Sequence, residues 1–273
     1  MTTAPTTRTL LAIFAHPDDE AFGTGGTLAH YAALGYRVRL LCATRGESGK
    51  ITDPEITADA DLAEVREAEL QAACLALGID APVFLGFHDS GRQERTRHDD
   101  PRALMNVDEL ELERAILPHI SKFLPEVVIT FDPHGIYGHV DHIKIHRAAT
   151  AAFWSAGNVA AVPPRRLFYT AMAAGRLREM QAARQNSPMS GLDPDLYGVS
   201  EGSFAAVLDV SAQLEAKQQA IRAHRSQTGP RSSFANMPAE AWQQALSRET
   251  FTLGGLRDAC FPTPPVGDLF AGL

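Results

Sequence analysis

Cysteine is scarce in this 273-residue chain: Cys42, Cys74 and Cys260, far apart and without a Cys-x-x-Cys spacing. An odd, scattered set does not read as a disulfide framework and suits a reducing compartment. Long apolar runs are missing too. The first, Leu10–Ala15, is too short to cross a membrane or to form the core of a signal peptide, and the opening MTTAPTTRTL has no charged segment leading into it. The expectation is a cytoplasmic protein with no membrane anchor. Positive charge is in deficit, with 25 Lys and Arg against 33 Asp and Glu for a net −8. Without a cationic stripe, neither a nucleic-acid backbone nor an anionic membrane surface is the expected main partner. Nothing in the pattern excludes a homo-oligomer. The apolar share of 45% and charged share of 21% are ordinary and allow a sizeable core.

The first half alternates short apolar runs with amphipathic stretches. Leu10–Ala15, Val38–Ala43, Val83–Phe87 and Val127–Phe131 read as buried strands. Between them, helices are expected over Gly26–Leu34, over Asp59–Leu77 with Gly78 as its left-handed cap, and over about Asp108–Phe123, kinked or divided at Pro118. Farther on, Arg165–Met172 and Phe204–Val210 read as strands, Leu214–His224 as a helix, and Gln185–Gly202 as a loop or lid. The pattern predicts an α/β protein: a Rossmann-like, open, mainly parallel sheet with helices on both faces and a less regular C-terminal part. We expect residues 1–9 to be disordered and 10–273 to form one domain, with the chemistry in 10–150 and substrate-shaping elements in 151–273. In such sheets ligands bind beyond the carboxyl ends of the strands.

Two clusters fall at such ends. His16-Pro17-Asp18-Asp19-Glu20 follows the first strand, ahead of Gly23, Gly25 and Gly26. Asp132-Pro133-His134-Gly135-Ile136-Tyr137-Gly138-His139-Val140-Asp141-His142 follows the fourth. Catalytic zinc takes three His or carboxylate ligands and keeps a position open. His16 and Asp19 lie close in one loop and His142 can reach them from the other. Asp18 and Asp141 remain for proton transfer or for orienting a histidine. His146, four residues after His142, is a rival ligand. Either cluster alone reads as a turn or a helix cap; the pair points to a site. A dinucleotide-binding oxidoreductase is the competing class, but position 28 is Leu where the glycine fingerprint wants Gly, and acidic residues stand where a pyrophosphate would lie.

HPDDE after the first strand and GHVDH after the fourth resemble the PIG-L/LmbE-like deacetylases, supported by ATRGESG (Ala43–Gly49), EVREAEL (Glu64–Leu70) and, weakly, AHRSQ (Ala223–Gln227). The resemblance implies an N-deacetylase acting on an amino-sugar small molecule of the N-acetylglucosamine type, a thiol precursor or a chitin fragment, or else an amidase of thiol conjugates. It implies zinc, with iron or cobalt as possible substitutes, held by His16, Asp19 and His142. Asp18 would be the general base. His139, held by Asp141 and cationic, would stabilise the oxyanion or protonate the amine, and Tyr137 would polarise the amide carbonyl. Arg45, Glu47, Arg66 and Asp89 are expected to line the substrate rim, although Arg66 also reads as a helix-surface partner of Glu69. His224 and Gln227 read either as approaching the site from the C-terminal half or as a helix end with a satisfied histidine.

Overall fold

The computed structural model describes residues 7–183, 189–232, 239–258 and 260–273. Thr9–Phe14 forms β1, and all six residues are buried. It is followed by α1 (Asp19–Ala33), β2 (Arg37–Thr44), α2 (Leu62–Leu77), β3 (Val83–Phe87), α3 (Glu109–Phe123), β4 (Val127–Thr130), the short α4 (Gly135–Gly138), α5 (Val140–Val159) and β5 (Arg166–Thr170). The later elements are α6 (Ala174–Ala183), α7 (Pro194–Tyr197), β6 (Ala206–Asp209), α8 (Leu214–Ala223), α9 (Arg225–Thr228), α10 (Ala239–Leu246) and β7 (Arg248–Leu256).

The strands form one mixed sheet in the order β3-β2-β1-β4-β5-β7-β6, within which β1 to β5 are mutually parallel. β7 enters antiparallel between β5 and β6. The strand order reverses between β1 and β4. Right-handed crossovers on either side of that reversal put α1 and α2 on one face and α3 and α5 on the other. α8 joins the first pair, while α3 and α5 pack on each other. Leu10, Leu11, Ile13, Val127, Val128 and Ile129 are fully buried, each contributing roughly 1.5–3 kcal/mol of burial. The reversal also opens a crevice at the carboxyl ends of β1 and β4.

Several boundaries differ from the sequence reading. Thr9, expected in a disordered tail, opens β1, and Arg8 donates to the Leu273 carbonyl at 2.5 Å; residues 1–6 lie outside the described residues. α1 starts at Asp19, a full two turns before Gly26. Pro118 does not divide α3, whose buried Leu112, Ile116 and Ile120 hold the helix through it. Asp61 caps α2 by accepting from the Ala63 and Glu64 amides, and Gly78 closes it at φ 70°. Residues 185–188 of the expected loop lie outside the described residues, and the rest of it contains α7.

Candidate active site

The loops after β1 and β4 meet in the crevice. His16 follows β1 directly, and its imidazole Nε2 lies 3.0 Å from Asp141 Oδ2 and 3.5 Å from Asp89 Oδ1. His142 sits in the first turn of α5, stacked on Phe131 at 4.0 Å between centroids, with Nδ1 3.2 Å from the Gly135 carbonyl. A carbonyl can only accept, so His142 carries its proton on Nδ1; Asp141 likewise fixes the proton of His16 on Nε2. The remaining lone pairs, His16 Nδ1 and His142 Nε2, face each other at 3.3 Å. Asp19 completes the group, with Oδ1 at 3.2 Å from His142 Nε2 and Oδ2 at 3.5 Å from His16 Nδ1.

Three acceptors converging in this way repel one another unless a cation or a proton lies between them. Burial opposes charge on His16, yet Asp89, Asp141 and Asp19 hold its pKa well above the ordinary range. Asp19 is held well below the usual carboxylate range, despite burial, chiefly by His142 and then by His16, whose rings bond to it when a proton lies between them. Two other buried clusters have donors close enough for a metal, His16–His139–His142 and His16–Asp89–Asp141. Their other groups are already engaged. His139 Nδ1 accepts the Asp141 backbone N–H as the cap of α5, so the proton of the neutral ring sits on Nε2. Asp89 accepts from the amides of Ser48 and Gly91, and Asp141 from Ser90. Among the described residues, a buried His/Asp group able to hold a metal ion is thus present.

Asp18 stands beside this group with a backbone that few residues adopt, φ 123° and ψ −25°. Such a conformation costs about 1–3 kcal/mol for a non-glycine residue. Arg66 meets its carboxylate at 3.3 Å and donates to the Gly46 and Pro17 carbonyls. Burial lifts the Asp18 pKa to about 6; Arg66 works against the rise and Asp19 with it. Gly46 and Gly49 are required here, because a Cβ on either would fall within 3 Å of the Arg66 guanidinium.

The expected pairing of His139 with the Asp141 carboxylate is corrected: that carboxylate lies on His16, and only the Asp141 N–H reaches His139. The Asp141 carboxylate therefore does not support the expected cationic His139. Burial, then His16 and His142, push its pKa far below the ordinary value. Tyr137, next to the strained Ile136 (φ 64°), places its ring 5.2 Å from that of His142 and beneath Arg92, and burial raises its pKa. Glu47 accepts from the Asp89 amide and leaves Oε2 buried without a partner. Arg45 turns away to Glu67 on the surface at 2.9 Å. Arg66 is not a helix-surface residue; Glu69 instead accepts both the N–H and the Oγ–H of Ser226. The rival His146 points away, bonding the Phe131 carbonyl and packing on Tyr169. The glycines expected to open α1 lie inside it, where Gly26 faces Val210 and Gly25 faces Lys217, not a phosphate. Glu20 and His224, paired at 2.7 Å, were missed as a unit because nothing in their spacing connects them across the chain.

An α/β sheet with a buried His/Asp group able to hold a metal and a neighbouring carboxylate at its switch point is the layout of a metal-assisted hydrolase. Residues 11–153 match the family model PIG-L, GlcNAc-PI de-N-acetylase. The chain is 36% identical over 290 residues to a 1D-myo-inositol 2-acetamido-2-deoxy-alpha-D-glucopyranoside deacetylase of Salinispora arenicola, covering 100% of this chain and 94% of the relative. It therefore belongs to the PIG-L family of N-deacetylases. The fold is also that of an N,N'-diacetylchitobiose deacetylase from Pyrococcus horikoshii (20% identity, TM-score 0.57, 90% of this chain and 83% of that one). A zinc-inhibited form of the teicoplanin deacetylase Orf2 shares it as well (21%, TM-score 0.59, 90% and 97%).

Proposed function

We propose that the protein is a zinc-dependent deacetylase that hydrolyses the acetamido group of 1D-myo-inositol 2-acetamido-2-deoxy-alpha-D-glucopyranoside. The substrate is inferred from the whole-length relative, whose sequence aligns through both halves of the chain. The observation that carries the chemistry is the set of three facing lone pairs beside Asp18. A tetrahedral zinc with Zn–N bonds of about 2.0–2.1 Å separates its donors by roughly 3.3 Å. His142 Nε2 lies 3.3 Å from His16 Nδ1 and 3.2 Å from Asp19 Oδ1, which fits that spacing, while the other Asp19 oxygen, Oδ2, lies 3.5 Å from His16 Nδ1 and accepts the His16 backbone N–H. An N/O set of this kind also accommodates iron or cobalt.

His16, Asp19 and His142 would hold the ion, which when bound supplies a Lewis acid that acidifies water and polarises the amide carbonyl. Asp18, with a pKa of about 6, is ionised at neutral pH and basic enough to take the proton of the attacking water. His139 donates its Nε2–H to the oxyanion as a neutral imidazole, capped and oriented through Nδ1. Tyr137, its phenol kept protonated by burial, is a second donor to that oxygen. Asp18 then passes its proton to the departing nitrogen, and the C–N bond breaks to give acetate and the free amine. Asp141 keeps His16 in the tautomer that leaves Nδ1 open.

The test is acetate release, with metal content measured on the same preparation. The substrate panel comprises the inositol glucosaminide, diacetylchitobiose and an N-acetylated thiol conjugate. The inositol compound should give the highest kcat/KM. A fully zinc-loaded protein that releases acetate from none of the three sinks the reading.

A further inference from the structure

Asp18 is held in its strained conformation from the far half of the chain. Its backbone N–H donates to Glu20 Oε2 at 3.0 Å, and the other oxygen of that carboxylate lies 2.7 Å from His224 Nε2. Glu20 and His224 are both buried, at 1% and 0% exposure. Nδ1 of His224 has no partner, so the ring is kept inside the protein for the sake of one contact. Two residues on, Ser226 gives its N–H and its hydroxyl to Glu69, at 2.6 and 2.7 Å. Glu69 lies one turn along α2 from Arg66, which grips the Asp18 carboxylate and the Pro17 carbonyl. The segment from His224 to Ser226 therefore reaches the same aspartate twice, through Glu20 to its main chain and through α2 to its side chain.

We propose that His224 and Ser226 are positioning residues for Asp18, His224 acting through Glu20 and Ser226 through Glu69 and Arg66. The inference rests on Asp18 being the proton acceptor of the proposed reaction. Without His224, the Glu20 carboxylate is buried and unpaired. It turns toward water, the Asp18 amide loses its acceptor, and the peptide relaxes out of the positive-φ region, which only glycine adopts freely. The carboxylate then leaves its place beside the metal group, while the side chains of His16, Asp19 and His142 keep their identity and their mutual contacts. Displacement of a reacting group by about 1 Å costs on the order of 10²-fold in rate. Ser226 is the weaker strut, because its backbone N–H survives any side-chain change.

The experiment compares His224→Ala, His224→Gln and Ser226→Ala in the wild-type and Asp18→Asn backgrounds, measuring kcat, KM and bound zinc. In the wild-type background His224→Ala should lower kcat by about 10²-fold, with KM and zinc content within about twofold. His224→Gln, whose amide can still donate to Glu20, should recover about tenfold of that loss. Once Asp18 is asparagine, His224→Ala should cost less than about threefold, since residues that act as a unit are not additive. An equal loss in both backgrounds overturns the proposal, as does loss of zinc or a KM effect alone. Should His224→Ala fail to fold, the glutamine variant and the Ser226→Ala pair carry the same comparison. A crystal structure of His224→Ala reports the Asp18 backbone, and one of Ser226→Ala its carboxylate, whatever the substrate is. A wild-type protein inactive on the whole panel thus refutes the deacetylase reading alone, whereas an unchanged Asp18 in the crystal of His224→Ala refutes this one.

Discussion

Asp18 is both the most strained and the least comfortably charged residue of the site. In the proposed reaction, Asp18→Asn should retain zinc and lower kcat by about 10²–10⁴-fold, the usual contribution of a positioned base. The same pKa makes a second prediction, about pH. With the acceptor form lost below about pH 6, kcat/KM should fall roughly tenfold per pH unit under that value, and the limb should vanish in Asp18→Asn. Stability should move the other way. The folded pKa lies above that of the unfolded chain, so the protonated form's contribution is fully present below the unfolded value of 3.8 and is lost as pH rises through about 6. Metal-free Asp18→Asn should therefore be more stable than the wild type at pH 7, by about 1–3 kcal/mol, and no more stable than it at pH 3. Paired thermal scans at the two pH values check this; a variant less stable at pH 7 contradicts it.

The elements carrying the site were legible in the sequence to different degrees. β3 was read to the residue, and α2 to its last residue because Gly78 is a local signal whose geometry needs nothing from elsewhere in the chain; its start was read at Asp59, ahead of the Asp61 cap. That the loops after β1 and β4 meet was legible as well, since each His/Asp cluster follows an apolar run. α1 was read late because its early turns contain Gly23, Gly25 and Gly26, poor helix formers tolerated for packing. The N–H groups of Gly26 and Thr27 donate to Glu249, held in turn by buried Lys217 at 2.6 Å, and neither partner is foreseeable from local pattern. β7 escaped notice because Gly254 and Gly255 interrupt its alternation; they are there to admit the rings of Tyr169 and Phe153. The contacts of His139 and Asp141 were misjudged because adjacency in sequence does not say which of two neighbouring imidazoles a carboxylate faces. A third prediction belongs to α1. A Cβ at Gly26 would lie 2.4 Å from Val210 Cγ2, so Gly26→Ala should cost about 1–3 kcal/mol despite the better helix propensity of alanine. Urea unfolding measures it, and a variant as stable as the parent would show that Val210 yields freely.

At the scale of the molecule, the ligands of the proposed zinc come from opposite sides of the strand-order reversal, so the ion would clamp the loops of β1 and β4 together. Free zinc at about a thousand times its Kd would add about 4 kcal/mol to stability. For a chain of this size that corresponds to a Tm roughly 8–16 °C lower after chelation. Because a proton competes for His16, whose pKa is raised, acid should release the metal and shrink the chelator effect. Calorimetry with and without chelator, at two pH values, tests both statements. Among the described residues no helix is long and apolar enough to cross a membrane.

The placement of β7 also matters while the chain is being made. β6 leaves the ribosome before the strand it pairs with, and the outer edge of β5 has no neighbour until β7 arrives to fill the gap. From the synthesis of β5 until that of β7 the nascent chain thus presents an open, apolar sheet edge, the kind that recruits a second copy. A stop codon or a stall ahead of Arg248 would leave every proposed metal ligand already synthesised, yet yield a polypeptide prone to aggregate.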